Sequence, residues 1–272
     1  MIPAPFDYAR AGSVEEAISL LGSDPDAKVL AGGHSLLPAM RLRIARPSML
    51  VDIGRIADLS YVREDGDRIA IGALTRHHDV ANAEVLQQLC PIVAHAAGQI
   101  GDPQVRHMGT IGGSVAHGDP AGDLPSVLLA LDAGFVAQGP TGTRTVAATG
   151  FFTSLFETAL APDEVLTEIR VPKATAGWSF MKFQRRAQDW AVVGVSAVRA
   201  NGGVHVGLTN MGLTPLRAVG VEEAVGGGAD PASAAARADE GTAPPDDAFG
   251  SAEYRRQLVK VLVRRALEEA LP

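Results

Sequence analysis

The sequence predicts a mixed α+β protein in two domains, and three observations carry that prediction. Short apolar runs alternate with amphipathic helical stretches, the switching periodicity of a chain that builds both sheets and helices. Turn signals at Asp65-Gly66, Gly139-Pro140-Thr141-Gly142 and Asn201-Gly202 sit between apolar runs and mark hairpins. A length of 272 residues, at roughly 150 per domain, leaves room for two. Lys173-Ala174-Thr175-Ala176-Gly177, just after a run that ends at Pro172, is the preferred boundary between residues 1–172 and 173–272.

Taken in order, Ser13-Val14-Glu15-Glu16 has capping-box spacing, and Val14, Ala17, Ile18 and Leu21 form the stripe of a first helix that Gly22 ends. Lys28 to Ala31 reads as a strand entering the turn Gly32-Gly33-His34-Ser35, Leu36 to Ile44 as a helix and Met49 to Ile53 as a buried strand. The opening, to about residue 58, is therefore βαβ-like. Tyr61 to Ala73 predicts a hairpin, residues 77–100 are helical, and a polar segment leads to a second glycine turn, Gly109-Thr110-Ile111-Gly112-Gly113. Leu124 to Leu131 predicts a buried helix, Phe135 to Ala147 a hairpin and Glu164 to Val171 a closing strand.

Beyond the boundary, Trp178 to Arg185, Val192 to Ala200 and Val204 to Met211 predict a meander. The stretch from Gly226 to Gly250 reads as a mobile connection or a weak helix. A last helix, Ala252 to Leu271, is expected to present Tyr254, Leu258, Val261 and Leu262 on its packed face.

Composition narrows the function. With 46% apolar and 20% charged residues the chain is ordinary for a folded protein, and its net charge of -7 offers no basic field for a phosphate backbone. Nucleic acid is not expected as a partner. The single cysteine, Cys90, rules out a disulfide within the chain and an iron–sulfur cluster held by it alone, and its apolar setting predicts a buried small hydrophobe. No apolar run has the length of a spanning helix, and the first residues lack the pattern of a signal peptide, so a cytoplasmic setting is expected.

Familiar catalytic motifs are missing: the chain has no P-loop, no strict G-x-G-x-x-G and no G-x-S-x-G. The Gly226-Gly227-Gly228 run reads as a flexible loop. His34, His77, His78, His95, His107, His117 and His205 fall into no zinc-binding spacing, and Asp119 beside His117 makes no motif by itself. What remains are the two glycine turns. Consecutive N–H groups at such turns can converge into an anion nest, and absent Cβ atoms let a phosphate approach the backbone. Each turn alone is equally a tight connection, but together, with Ser35, Thr110 and Asp123 close by, they favour a diphosphate cofactor with a polyhydroxyl arm.

Ala31-Gly32-Gly33-His34-Ser35-Leu36-Leu37-Pro38 and Gly109-Thr110-Ile111-Gly112-Gly113 closely resemble the two FAD-binding motifs of the flavin subunit of molybdenum hydroxylases. The runs Gly98 to Met108 and Ala116-His117-Gly118-Asp119-Pro120 are similar too, and the likeness spans nearly the whole chain. His34 and Arg185-Arg186-Ala187-Gln188-Asp189-Trp190 look most like the carbon monoxide dehydrogenase branch of that family. The resemblance implies a two-subdomain FAD-binding fold of the vanillyl-alcohol-oxidase type, about residues 1–58 and 59–172, followed by a β-meander with helices that covers the flavin.

Carried over by motif, Ala31, Gly32, Gly33, His34, Ser35 and Leu36 would hold the diphosphate through backbone N–H groups. Thr110, Gly112, Gly113 and Ser114 would serve from the second turn, and Asp123 would accept from the ribityl arm. Ile100, Leu166 and Lys182 complete the implied cofactor set; Ser114 departs from the asparagine common in relatives. Other readings stand beside these: Asp123 is also placed to cap the helix that follows, and Lys182 to be a solvated strand lysine.

The resemblance further implies that this chain carries FAD and no catalytic acid, base or nucleophile. A molybdopterin-bearing large subunit would oxidise the substrate, carbon monoxide in the nearest branch. Two 2Fe–2S clusters of a small subunit would pass the electrons on, in a dimer of heterotrimers that reaches the membrane only through partners. FAD would deliver the electrons to a quinone or another external carrier. Alternatives are the flavin subunit of a purine, aldehyde or N-heterocycle hydroxylase, a scaffold subunit that has lost flavin, and a free-standing flavin reductase of the same fold.

Overall fold

The computed structural model describes residues 1–200 and 203–271. The expected turn at Asn201-Gly202 and the final Pro272 lie outside the described residues. Strands β1 (Asp7–Arg10), β2 (Lys28–Leu30) and β3 (Met49–Asp52) form a parallel sheet in the order β1-β3-β2, with helices α1 (Val14–Ser23) and α2 (Leu36–Arg41) in the connections. The capping box forms at α1: Ser13 Oγ accepts from the Glu16 N–H at 3.1 Å, and Glu16 Oε2 accepts from Gly12 N–H at 2.7 Å. Gly22 lies inside α1 instead of ending it, and the helix is capped at Asp24. Helix α2 stops at Arg41, short of Ile44, because Arg43 takes a left-handed φ of 61°. Strand β1 has no apolar run to announce it; it is an edge strand whose side chains are largely exposed.

The next sheet runs in the order β4-β5-β10-β6-β7, entirely antiparallel. Its strands are β4 (Val62–Asp65), β5 (Arg68–Gly72), β6 (Gly134–Gly139), β7 (Gly142–Ala147) and β10 (Val165–Pro172). Both hairpins fold where the turn residues predict. Between β5 and β6 lie α3 (His77–Asn82), α4 (Glu84–Leu89), α5 (Pro91–Gly98), α6 (Pro103–Met108), α7 (Ile111–His117) and α8 (Asp123–Ala130). The single helical stretch expected over 77–100 is thus three helices, broken at Ala83 and Cys90, the latter just before Pro91. The polar segment holds α6, which Asp102 caps by accepting from Val105 N–H at 2.8 Å with Pro103 at the first helical position. Ile69, Ile71, Ile92, Val93, Leu128, Phe135 and Ile169 fill this core. Cys90 is fully buried in it, and burial pushes its thiol up to about 12. A small hairpin, β8 (Phe152–Ser154) with β9 (Glu157–Thr158), projects between β7 and β10.

A third sheet, β11 (Trp178–Phe183), β12 (Val193–Ala200), β13 (Gly203–Thr209) and β14 (Leu216–Arg217), is the expected meander. Helices α9 (Val219–Gly226), α10 (Pro231–Ala235) and α11 (Ala252–Ala270) pack with it. The stretch expected as a mobile connection or weak helix contains α10, whose start Asp230 caps. The packed face of α11 differs from the expected one: Arg255, Val259, Leu262, Val263, Ala266, Leu267 and Ala270 are buried, whereas Tyr254 and Val261 are exposed. The apolar stripe is set by the alanines near the C-terminal end, and the N-terminal turn follows it by burying an arginine that finds polar partners. Helix α8 joins the second and third sheets. Every one of its residues is buried, and Ser126 Oγ lies 2.5 Å from Thr209 Oγ1 on β13. Gly207 lets β13 approach so closely that an added Cβ would fall 2.2 Å from Ser126 O.

Candidate functional site

A cavity of about 760 Å³ opens between the first sheet's glycine turn, the start of α7 and α8, the β8–β9 hairpin and the end of β11. That volume is within the range of small-molecule and cofactor sites. Ala31, Gly32, Gly33, His34, Ser35, Leu36, Ile100, Thr110, Gly113, Ser114, Asp123 and Lys182 all line it. Twelve of the fourteen residues expected from sequence are therefore brought together.

The two glycine turns touch backbone to backbone. A Cβ on Gly32 would lie 2.2 Å from Met108 O and 2.8 Å from Gly109 Cα, so only glycine permits the seam. Gly33 follows with φ 74°, a left-handed conformation that turns the chain into α2. The N–H groups of Gly33, His34, Ser35 and Leu36 have no partner among the described residues. They form a row of free donors at the head of a helix, the arrangement that receives an anion.

The second turn works differently from the nest expected of it. Thr110 is the N-cap of α7, and its Oγ1 accepts from Gly113 N–H at 3.0 Å. Ile111 and Gly112 donate their N–H groups to Thr75 O and Ala73 O, and Ser114 donates to Thr110 O. Two of these donors tie α7 to the segment that follows β5, and the other two close its own first turn on Thr110. What faces the cavity is the Thr110 and Ser114 side and the smooth Gly113 surface. Gly112 itself does not line the cavity: an added Cβ would meet Ala73 Cβ at 2.5 Å, so it is a packing glycine. Leu166, on β10, is the other residue not brought in; it is 5% exposed and belongs to the core.

Asp123 and Lys182 meet at the cavity floor, with Lys182 Nζ 2.7 Å from Asp123 Oδ2 and 3.0 Å from Gln99 O. Their side chains are only 7% and 5% exposed, so Lys182 is not the solvated lysine of the alternative reading. Nor is Asp123 a cap, since Gly122 holds that position of α8. Burial pushes the Asp123 carboxyl up to about 6, outweighing the opposing pull of Lys182. Its Oδ1 is buried without a partner. A buried acceptor left unpaired costs free energy, and a donor arriving from the cavity relieves that cost.

Several lining residues were not in the expected set. His77 is 4% exposed, its N–H donates to Gly109 O at 3.0 Å, and its Nδ1 is another buried atom without a partner. Burial, with Arg76 and His34 nearby, pushes its imidazole down to about 4 and keeps it neutral. Gly101, Asp102, His117, Phe156 and Trp190 also face the cavity. Phe156 stands at the hairpin tip with φ 58° and its ring 5.0 Å from that of His117. Trp190 is 70% exposed. Its position in a distinctive Arg-Arg-Ala-Gln-Asp-Trp run was the available signal; His77 sits in a charged stretch that offered none. Glu164 lines the wall, where the Arg144 guanidinium grips it at 2.6 and 2.7 Å and holds its carboxyl below the usual range. No three His, Cys, Asp or Glu side chains among the described residues are grouped to hold a metal.

A cavity built on paired glycine turns, with β11 and the segment after it along one side, is the kind of site that receives a dinucleotide cofactor. Comparison with known proteins sharpens that class. Residues 4–174 match the family model described as the FAD binding domain in molybdopterin dehydrogenase, and residues 178–270 that of the CO dehydrogenase flavoprotein C-terminal domain. The carbon monoxide dehydrogenase medium chain of Hydrogenophaga pseudoflava is 43% identical, covering 99% of this chain and 98% of the relative. A solved carbon monoxide dehydrogenase of that organism, lacking the Mo-pyranopterin moiety of its cofactor, superposes with a TM-score of 0.94 at 44% identity, over 99% of this chain and 98% of that one. The 6-hydroxypseudooxynicotine dehydrogenase complex subunit alpha of Paenarthrobacter nicotinovorans is 39% identical over 100% of this chain and 96% of its own. The chain belongs to the FAD-binding medium subunits of molybdenum hydroxylases. It is an oxidoreductase subunit of the FAD-carrying kind.

Proposed function

We propose that this chain carries electrons in a carbon monoxide dehydrogenase, from the 2Fe–2S clusters of a small subunit to an external quinone or carrier. The observation that supports the site assignment is that the row of free N–H groups from Gly33 to Leu36 and Asp123, whose Oδ1 is unpaired, belong to residues lining one cavity. These residues fit FAD. The row would donate to a diphosphate where Gly32 lets the backbone come close, and Thr110 and Ser114 would add hydroxyls from the second turn. Asp123 Oδ1 would accept from a cofactor hydroxyl, while Lys182, fixed by Asp123 Oδ2 and Gln99 O, holds a cation that would favour added electron density nearby. Ile100, His77 and Trp190 line the same cavity and would offer apolar and aromatic surface to the planar part of the cofactor.

FAD, when bound, exchanges electrons one at a time with a cluster and two at a time with an acceptor. The chain's own part is to bind, orient and bias that group; it offers no acid, base or nucleophile for substrate chemistry. We read residues 1–172 as the cofactor-binding domain and 173–272 as its cover. The whole works in the cytoplasm as one chain of a dimer of heterotrimers with molybdopterin and iron–sulfur partners. No helix of the described residues is long and apolar enough to cross a membrane, so membrane contact would come through those partners.

Carbon monoxide is favoured as the partner's substrate by His34 and the 185–190 run together with the 43% identity to a carbon monoxide dehydrogenase chain. The 39% identical relative from a 6-hydroxypseudooxynicotine dehydrogenase supports an N-heterocycle reading nearly as well. Pull-down of the chain from its native host, with visible spectrum and molybdenum content recorded and carbon monoxide added as reductant, separates them. Bleaching of flavin and cluster bands is the expected result. Flavin and molybdenum without bleaching move the substrate elsewhere, and a colourless chain without partners overturns the electron-transfer role.

A further inference from the structure

The segment between β11 and β12, residues 184–192, carries Gln188, Asp189 and Trp190 to the cavity. It has no regular structure, and Gln188 holds a left-handed φ of 72°. Its neck is closed by Val192 N–H donating to Phe183 O at 2.8 Å. Both feet are fastened to one short strap, residues 246–250, that precedes α11. At the first foot Arg185 Nη1 donates to Ala248 O at 2.8 Å. At the second, Arg255 Nη1 donates to Val192 O, while its Nη2 grips both carboxylate oxygens of Asp247 at 2.7 and 2.8 Å and its Nε reaches Gly250 O at 3.4 Å. Asn210 adds a bond from Nδ2 to Ala191 O at 2.9 Å.

Arg255 is the largest fully buried side chain of the protein's described residues, on a helix face otherwise made of Val, Leu and Ala. A buried ion pair is a poor source of stability, since apolar residues of like volume serve as well or better. Its planar fork instead fixes direction, meeting a carboxylate on one side and a carbonyl on the other. The carbonyl it meets belongs to Val192, the end of the segment that bears Trp190.

We propose that Arg255, acting through the Val192 carbonyl, Asp247 and the strap, is a positioning residue that sets how the 184–192 segment lies at the cavity and so how firmly the cavity holds its cofactor. The proposal rests on the FAD reading of the cavity only for its second half. Asp247 is 39% exposed on its side chain, so it stays solvated when Arg255 is replaced, and Arg255→Met conserves most of the volume.

The test uses the full-length chain with Trp178→Phe, which leaves Trp190 as the only indole, since the sequence has two. Trp190 is already 70% exposed, so the readout is its mobility and not its accessibility. In Arg255→Met, the steady-state fluorescence anisotropy of Trp190 should fall by about a third and the dissociation constant for added FAD should rise about tenfold, with a cooperative thermal transition retained. Should Arg255→Met fail to fold, Arg185→Ala, an exposed residue at the other foot, is expected to lower the anisotropy by a smaller amount and to raise the dissociation constant about twofold. Unchanged anisotropy and FAD affinity in either folded variant, even with a lowered melting temperature, would reduce the arginines to structural roles and overturn the proposal. Lowered anisotropy in a chain whose parent binds no FAD would support the clamp while removing the FAD reading of the cavity.

Discussion

Asp123 and His77 titrate in opposite directions across the same pH range. The Asp123 carboxyl, raised by burial from 3.8 to about 6, binds its proton more tightly in the folded chain than in the unfolded one. Its neutral form therefore favours the fold fully below about pH 4, and that contribution is lost as pH rises through 6. His77, lowered by burial from 6.5 to about 4, does the reverse: its contribution is present above about 6.5 and lost as pH falls through 4. Each difference corresponds to about 3 kcal/mol, at about 1.4 kcal/mol for each tenfold change in proton affinity. In the wild-type chain the two slopes nearly cancel, and single substitutions unmask them. Relative to wild type, the flavin-free His77→Asn chain should lose about 2 kcal/mol of that between pH 4 and 6, and Asp123→Asn should gain about as much over the same interval. Urea denaturation at a series of pH values measures this, each variant differenced against wild type so that the other carboxylates drop out. Parallel pH profiles for all three chains would refute the reasoning, because they would mean that neither group changes its proton affinity on folding.

Gly32→Ala should lower the melting temperature by several degrees and FAD affinity by about a hundredfold, since the new methyl lies 2.2 Å from Met108 O and forces the glycine seam apart. Calorimetry and fluorescence titration check it, and a chain that melts and binds like wild type contradicts the close packing of the turns. Lys182→Met should raise the Asp123 carboxyl further by removing its counter-charge and make FAD affinity fall and depend on pH between about 6 and 8. A titration that stays flat over that range counts against the pair. Cys90, fully buried with its thiol near 12, should resist maleimide in the native chain and react on unfolding, and fast labelling of the folded protein would show the core around α4 and α5 to be open.

Much of this was legible in the chain itself. Asp65-Gly66 and Gly139 to Gly142 announced their hairpins because a two-residue turn needs particular backbone conformations, and the Ser13 to Glu16 box announced α1 because capping is local chemistry. The two glycine turns were legible as a pair, but not their division of labour. Whether the N–H groups at Ile111 and Gly112 are free depends on Ala73 and Thr75, which only the fold brings beside them. Helix α6 was hidden by its polarity, although Asp102-Pro103 is a good start signal. On α11 the period was right and the phase wrong, because Tyr254 and Val261 looked more like core than Arg255 did. Site residues such as His77 carried no pattern at all; burial beside a glycine turn is a property of the tertiary structure.

Helix α8 is enclosed on every side, with the second sheet's core on one flank and β12 and β13 on the other. Neither half of the chain can then be treated as a separate folding unit. Residues 1–172 expressed alone would bare the flank holding Ser126 and Ala130, and the meander alone would bare the Gly207 groove into which that flank fits. Cutting the link at 173–177 should leave two fragments that stay associated and melt together in one cooperative transition.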